Sequence, residues 1–118
     1  VKYFKIEEFA CKGKDCCNGS RLVDPTFLEM LDNARGISGV PYIIRSGYRC
    51  FSHNKAIGST STNHIRGLAA DIETLDGPTR GKVLRGLYLA GFRRVGISFA
   101  KGFVHADIND GPESCFEE

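Results

Sequence analysis

The sequence predicts an α+β domain: an antiparallel sheet with helices packed on one side. Three observations predict it. The chain has 118 residues, one domain's worth, and Gly and Pro punctuate it without creating a linker, repeat or low-complexity tract, so residues 1–118 read as a single domain. Only two long segments carry apolar residues at helical spacing. Several short runs bounded by turn residues read as strands, and the last two form a hairpin pattern.

The elements follow in order. Residues 1–23 read as an irregular, cysteine-containing arm with a short amphipathic piece at Phe4–Phe9. Asp24-Pro25 is a helix start, an Asp N-cap followed by proline at the first helical position. Phe27, Leu28, Leu31 and Ala34 follow on one face, and Gly36 and Gly39 close the helix. Pro41 to Ser46 reads as a buried strand that leaves through Gly47-Tyr48-Arg49-Cys50 into a loop. Residues 52–58 suit a short helix capped by Ser52, and 59–63 a polar loop. Leu68 to Glu73 is a strand of small residues. A second long helix spans about Gly77 to Ala90, with Val83, Leu84, Leu87 and Tyr88 as its apolar stripe and Gly91 as its stop. Arg94–Ser98 and Gly102–Ile108 are the hairpin strands.

Composition narrows the function classes. Hydrophobic residues at 42% and charged residues at 25% exclude a collagenous, disordered or membrane-spanning chain. A formal net charge of +2 gives no reason to expect a nucleic-acid partner. No apolar run reaches secretory-signal or membrane-span length, so no membrane partner and no signal peptide are expected. The five cysteines are Cys11, Cys16, Cys17, Cys50 and Cys115, an odd number, so at least one is unpaired within the chain. Three fit within seven residues. They are compatible with a small zinc site, with disulfides tying the loop to Cys50 or Cys115, or with free thiols. The paired C-x-x-C spacing common in four-cysteine zinc sites is absent. Cys50 itself reads as a packing residue.

His64, Asp71 and His105 are the residues that point to chemistry. Asp71 lies in the apolar stretch Leu68–Ile72, where an unpaired carboxylate is costly. His105 interrupts a strand of the same kind. Two imidazoles and a carboxylate are three ligands for zinc, and the fourth position is then left for water, the pattern of catalytic rather than structural zinc.

Their surroundings resemble a family. Ser46-Gly47-Tyr48-Arg49-Cys50, followed by His53-Asn54 and Gly58, resembles the SGYR…HN…G segment of the zinc D-alanyl-D-alanine carboxypeptidases. Thr62-Asn63-His64 through Asp71-Ile72 is similar to their S-x-H-x-x-G-x-A-x-D motif, with Thr62 in the serine position. Phe103-Val104-His105-Ala106-Asp107 resembles their closing strand. The resemblance covers most of residues 42–108 and extends to the hedgehog signalling domain and to phage endolysins. Phe9-Ala10-Cys11 makes the chain look most like the short phage-encoded members.

The resemblance implies a hedgehog/DD-peptidase fold with Zn2+ held by His64, Asp71 and His105. It places Arg49 in the cleft, to clamp a substrate carboxylate or polarise the scissile carbonyl. Ser46 lies beneath the site as a further substrate-side residue, His53 and Asn54 are structural hydrogen-bonding residues, and Gly67 allows a tight turn. Family members usually carry an Asp or Glu three residues before the last zinc histidine as general base. Here that residue is Gly102, and Phe103 stands where some relatives have a histidine. Asp107, two residues after His105 and on the same strand face, is the substitute base or else an acceptor that orients the imidazole. Glu73 is a weaker candidate for the same task. The implied function is a peptidase acting on peptidoglycan stem peptides at or near D-amino acids, as a carboxypeptidase or endolysin. The alternative is a weakly catalytic or inactive wall-binding module of a virion. The expected partners are a peptidoglycan peptide and other virion proteins, and the expected location is a virion or host cytoplasm with action on the bacterial wall.

Overall fold

A computed structural model describes residues 1–118. Helix α1 spans Pro25–Ser38 and starts as its residue types dictate: the Asp24 carboxylate accepts from the Phe27 N–H at 3.0 Å. Gly39, with a φ of 70°, ends it as a left-handed cap. The helix runs through Gly36 rather than closing there. A β-carbon at 36 would stand 3.3 Å from the Tyr3 ring, so this glycine makes room for the N-terminal arm.

Strand β1 is only Ile44–Ser46. Pro41 has no N–H for a ladder, and the register slips between Ile44 and Ser46, which shortens the strand expected from residue 41. Helix α2 is Phe51–Ala56, and its cap is Cys50 rather than Ser52: the Cys50 sulfur accepts from the His53 N–H at 3.4 Å. Strand β2 is Ala69–Glu73, and helix α3 is Gly77–Leu89. Asp76 caps α3 by accepting from the Thr79 N–H at 2.7 Å. Strands β3, Arg94–Ser98, and β4, Phe103–Asp107, form the expected hairpin. The fifth strand, β5 at Ser114–Glu117, is not foreshadowed by the sequence, because its four residues have no buried apolar alternation.

The sheet order is β1-β2-β4-β3-β5. The β1–β2, β2–β4 and β3–β4 pairs are antiparallel, as the fold class requires, and β5 adds one parallel pair at the β3 edge. The architecture is α+β with a mixed sheet. Helices α1 and α3 pack on each other and share one core with the sheet. Phe27, Leu31 and Ala34 from α1 and Val83 and Leu87 from α3 meet Ala70, Ile72, Val95, Val104 and Ala106. Each fully buried Leu, Ile, Val or Phe there contributes about 1.5–3 kcal/mol. Phe4 and Phe9 belong to the same core, so the arm, whose only regular piece is a 3₁₀ turn at Ile6–Phe9, is fastened to the domain. The Lys2 and Tyr3 N–H groups donate to Asp32 at 3.0 and 2.7 Å. No helix is long and apolar enough to cross a membrane.

The period of two in a strand then decides where chemistry can go. Ala70, Ile72, Val104 and Ala106 face the helices, so Asp71, His105 and Asp107 emerge on the other face.

Candidate metal centre

Strand register builds the centre. Ser46 pairs with Asp71, Asp71 with His105, His105 with Gly96, and Gly96 with Phe116, giving one row across all five strands. Side chains of directly paired residues share a face and touch. Phe116 lies over Gly96, where a β-carbon would stand 2.6 Å from the ring, and its ring centroid is 5.8 Å from that of His105. The row is thus walled by an aromatic on the β5 side.

His64 reaches the row from the turn at residues 63–67, which ends at Gly67 with a φ of 70°. Its Nδ1 donates to the Gly47 carbonyl at 2.7 Å. A carbonyl can only accept, so the proton is on Nδ1 and Nε2 carries the lone pair. That Nε2 is buried and has no hydrogen-bond partner. Asp71 Oδ1 lies 3.5 Å from it and 2.9 Å from Nδ1 of His105. Ligand atoms of His64, Asp71 and His105 all fall within 4.8 Å of one another, and all three residues are buried. An orphaned imidazole nitrogen, a carboxylate oxygen and a second imidazole nitrogen converge on one point, and a cation is what all three accept. The N, O, N donor set suits Zn2+, and three protein ligands leave one position open.

The electrostatics agree. Burial pushes the Asp71 carboxyl up, but its hydrogen bond with His105 outweighs this and holds it well below the usual carboxylate range. Burial pulls His105 down, but the carboxylates of Asp107 and Asp71 on either side raise it to about 9. Without a metal, the imidazolium itself supplies the positive charge that this pair of carboxylates demands.

Asp107 is fully engaged. Its Oδ2 meets His105 Nε2 at 2.7 Å, and its Oδ1 accepts from Arg94 Nε at 2.9 Å and the Asn109 N–H at 3.1 Å. The Asn63 amide approaches Oδ2 at 3.4 Å. Of the two roles the sequence allows it, these contacts fit the orienting one: Asp107 fixes the His105 tautomer and turns Nδ1 toward Asp71. They leave no free oxygen for a base. Glu73 is also occupied, in an ion pair with Arg45 at 3.2 Å. Gly102, where the family base is expected, sits in the β3–β4 turn with a φ of 71°, a conformation that suits glycine.

Arg49 stands beside Asp71. Its Nε donates to Ser46 Oγ at 2.9 Å, one terminal nitrogen to Asn54 Oδ1 at 3.3 Å, and the other to Asp71 Oδ2 at 3.1 Å. Ser46 and Asn54 therefore aim the guanidinium, and Ser46 acts on it rather than facing a substrate independently. Asn54 in turn donates to the Ser61 carbonyl at 2.9 Å, tying α2 to the loop before His64.

One residue at the centre carries no sequence signal. Glu118 Oε1 lies 3.8 Å from His105 Nδ1, with the side chain one-third exposed. The Glu118 N–H donates to the Ile97 carbonyl at 2.9 Å, which extends the β3–β5 pairing and sets its position. Its proximity to His105 arises only from that parallel pairing.

With this geometry in place, a family model described as Peptidase M15 matches residues 2–107. The chain belongs to the peptidase M15 family. No curated protein matches it in sequence. M15 peptidases are zinc-dependent metallopeptidases, and the His64–Asp71–His105 cluster is the group in this M15 chain whose donor set fits catalytic zinc. The match contains Arg49 and all three ligands and ends at Asp107, so β5 and Glu118 of this M15 peptidase lie beyond it.

Proposed function

We propose that this M15 peptidase hydrolyses peptidoglycan stem peptides at or near D-amino acids, in the manner of D-alanyl-D-alanine carboxypeptidases or endolysins, and so acts on the bacterial wall. The observation that carries the reading is the orphaned His64 Nε2 converging with Asp71 and His105 beside an aimed arginine. Zinc bound by these three residues supplies Lewis acidity, polarising a carbonyl and acidifying water.

The chain's own groups do the rest. Arg49 uses three N–H donors on Ser46, Asn54 and Asp71, and a guanidinium has five. The remaining two are free to clamp a substrate carboxylate or the polarised carbonyl oxygen. Asp107 holds the His105 ring in place. Glu118 takes the proton from the attacking water and passes it to the leaving amine, the task left open by Gly102. Its partial exposure at the edge of the cluster is what such a shuttle needs.

The test is release of D-alanine or cleaved stem peptide from purified peptidoglycan and from D-Ala-D-Ala peptides by the zinc-loaded chain. Folded, zinc-loaded protein that releases neither would sink this reading. It would favour the alternative, a non-catalytic wall-binding module, for which the glycine at position 102 is the specific observation.

A further inference from the structure

Four of the five cysteines meet at a second place. The Sγ atoms of Cys11, Cys16, Cys17 and Cys50 all lie within 4.8 Å of one another. Two neighbouring separations are 3.9 Å, Cys11 to Cys16, and 3.7 Å, Cys16 to Cys17. Sulfurs at about 2.3 Å from a tetrahedral zinc stand about 3.8 Å apart, whereas a disulfide brings them to about 2.0 Å. The spacing is that of a tetrathiolate, and all four thiols are unbridged.

The surroundings are built for it. The Cys50 N–H points at Cys11 Sγ at 3.5 Å and the His53 N–H at Cys50 Sγ at 3.4 Å, donors that support negative sulfur as outer-shell partners do in metal sites. The loop that supplies three of the sulfurs takes left-handed backbone at Asp15 and Asn18, φ 53° and 55°, where a side chain is disfavoured. Gly13 passes so close that a β-carbon would stand 2.7 Å from Cys16 Sγ and 2.8 Å from His53 Cβ. The Cys11 N–H closes the loop on the Ser20 carbonyl at 2.8 Å.

We propose that Cys11, Cys16, Cys17 and Cys50 bind a second, structural zinc ion as a closed four-thiolate site. Each thiol gives up its proton on binding, so four protons leave to solvent or buffer. The ion fastens the arm, which has no helix or strand between Ala10 and Asp24, to the start of α2. Cys50 follows Arg49 directly, and the Tyr48 N–H donates to the Phe9 carbonyl at 2.9 Å, so the clamp holds the segment that carries the cleft arginine. Cys115, exposed on β5 and outside the cluster, is the odd thiol.

The experiment uses the full chain, purified with reductant and zinc, and counts metal per chain by elemental analysis. Two equivalents are expected for the wild type, and one for a His64→Ala/His105→Ala variant. Cobalt exchanged into that double variant should show thiolate-to-metal charge transfer and an intense tetrahedral d–d spectrum. Alkylation of the native zinc-loaded chain should modify Cys115 quickly and the other four only after chelation. Failure of Cys16→Ser or Cys50→Ser to fold leaves these readouts intact, because none of them uses a cysteine variant. A metal-free double variant, a cobalt spectrum without thiolate bands, or disulfide-linked cysteines in the reduced preparation would each overturn the site. None of these readouts depends on peptidase activity.

Discussion

The two clusters of this molecule are built in opposite ways. His64, Asp71 and His105 are held by strand register, a carbonyl and a buried carboxylate: every ligand has a fixed backbone or side-chain partner before any metal arrives. The four cysteines sit on a loop with no regular structure and on the cap of a six-residue helix. The first centre stands on a sheet whose other face is packed against the core. The second has hydrogen bonds and close packing but no strand register beneath it, and its metal would supply the cross-link. The lesson is that strand register by itself brings the first set of ligand atoms together, whereas the second set is brought together by a loop and a helix cap.

The largest expected effect separates the two. His64→Ala should reduce peptide hydrolysis to background and remove one zinc per chain, and it should also lower the melting temperature, because it deletes a buried ring and the donor to the Gly47 carbonyl while the thiolate cluster keeps its own metal. An unfolded variant would erase the contrast. Next is Glu118→Gln, expected to lower kcat by about 10²–10⁴-fold, the usual worth of a general base, with both metals retained. Unchanged turnover would remove Glu118 from the mechanism. Asp107→Asn, by contrast, should weaken zinc at the histidine centre by about 10–100-fold, because it disturbs a ligand's orientation rather than the ligand. If kcat at saturating zinc collapsed instead, Asp107 would be the base after all.

A smaller effect concerns pH. In the metal-free chain His105 is raised from 6.5 to about 9 by its two carboxylates. A folded value above the unfolded one stabilises the protein fully below about pH 6.5, and the gain is lost as pH rises through about 9. Zinc binding runs the other way, since protons compete for the imidazole. NMR titration of His105 should show the high value without metal and no titration in that range with zinc; an ordinary value in the metal-free chain would contradict the sandwich of carboxylates. Smallest of all is Asp24→Ala, which should cost about 1 kcal/mol through the lost α1 cap and leave both metal sites unchanged.

Much of this was legible in the chain. The Asp24-Pro25 start, the two long helices and the β3–β4 hairpin are local matters of capping, periodicity and turn chemistry, and the three histidine-centre ligands stand in motifs whose order the sequence preserves. The departures are instructive. Gly36 reads as a helix stop, but the ring of Tyr3, distant in sequence, makes it a packing glycine. Cys50 reads as packing, but it caps α2 and joins three other sulfurs. Asp107 reads as a substitute base or as an orienting group, and the contacts with His105, Arg94 and Asn109, which are not visible along the chain, fit the orienting role.

Capping, periodicity and turn chemistry along the chain carry the α+β class, and the motifs that resemble the D-alanyl-D-alanine carboxypeptidases are what singled out His64, Asp71, His105 and Arg49 as candidates. Only the tertiary structure could decide what meets across the sheet. The row from Ser46 to Phe116 is a register of five strands, Glu118 arrives beside His105 through a parallel pairing that no local pattern announces, and four sulfurs separated by up to 39 positions close on one point. Those are long-range contacts, fixed by which strands pair and how the arm packs, and residue spacing along the chain carries no record of them.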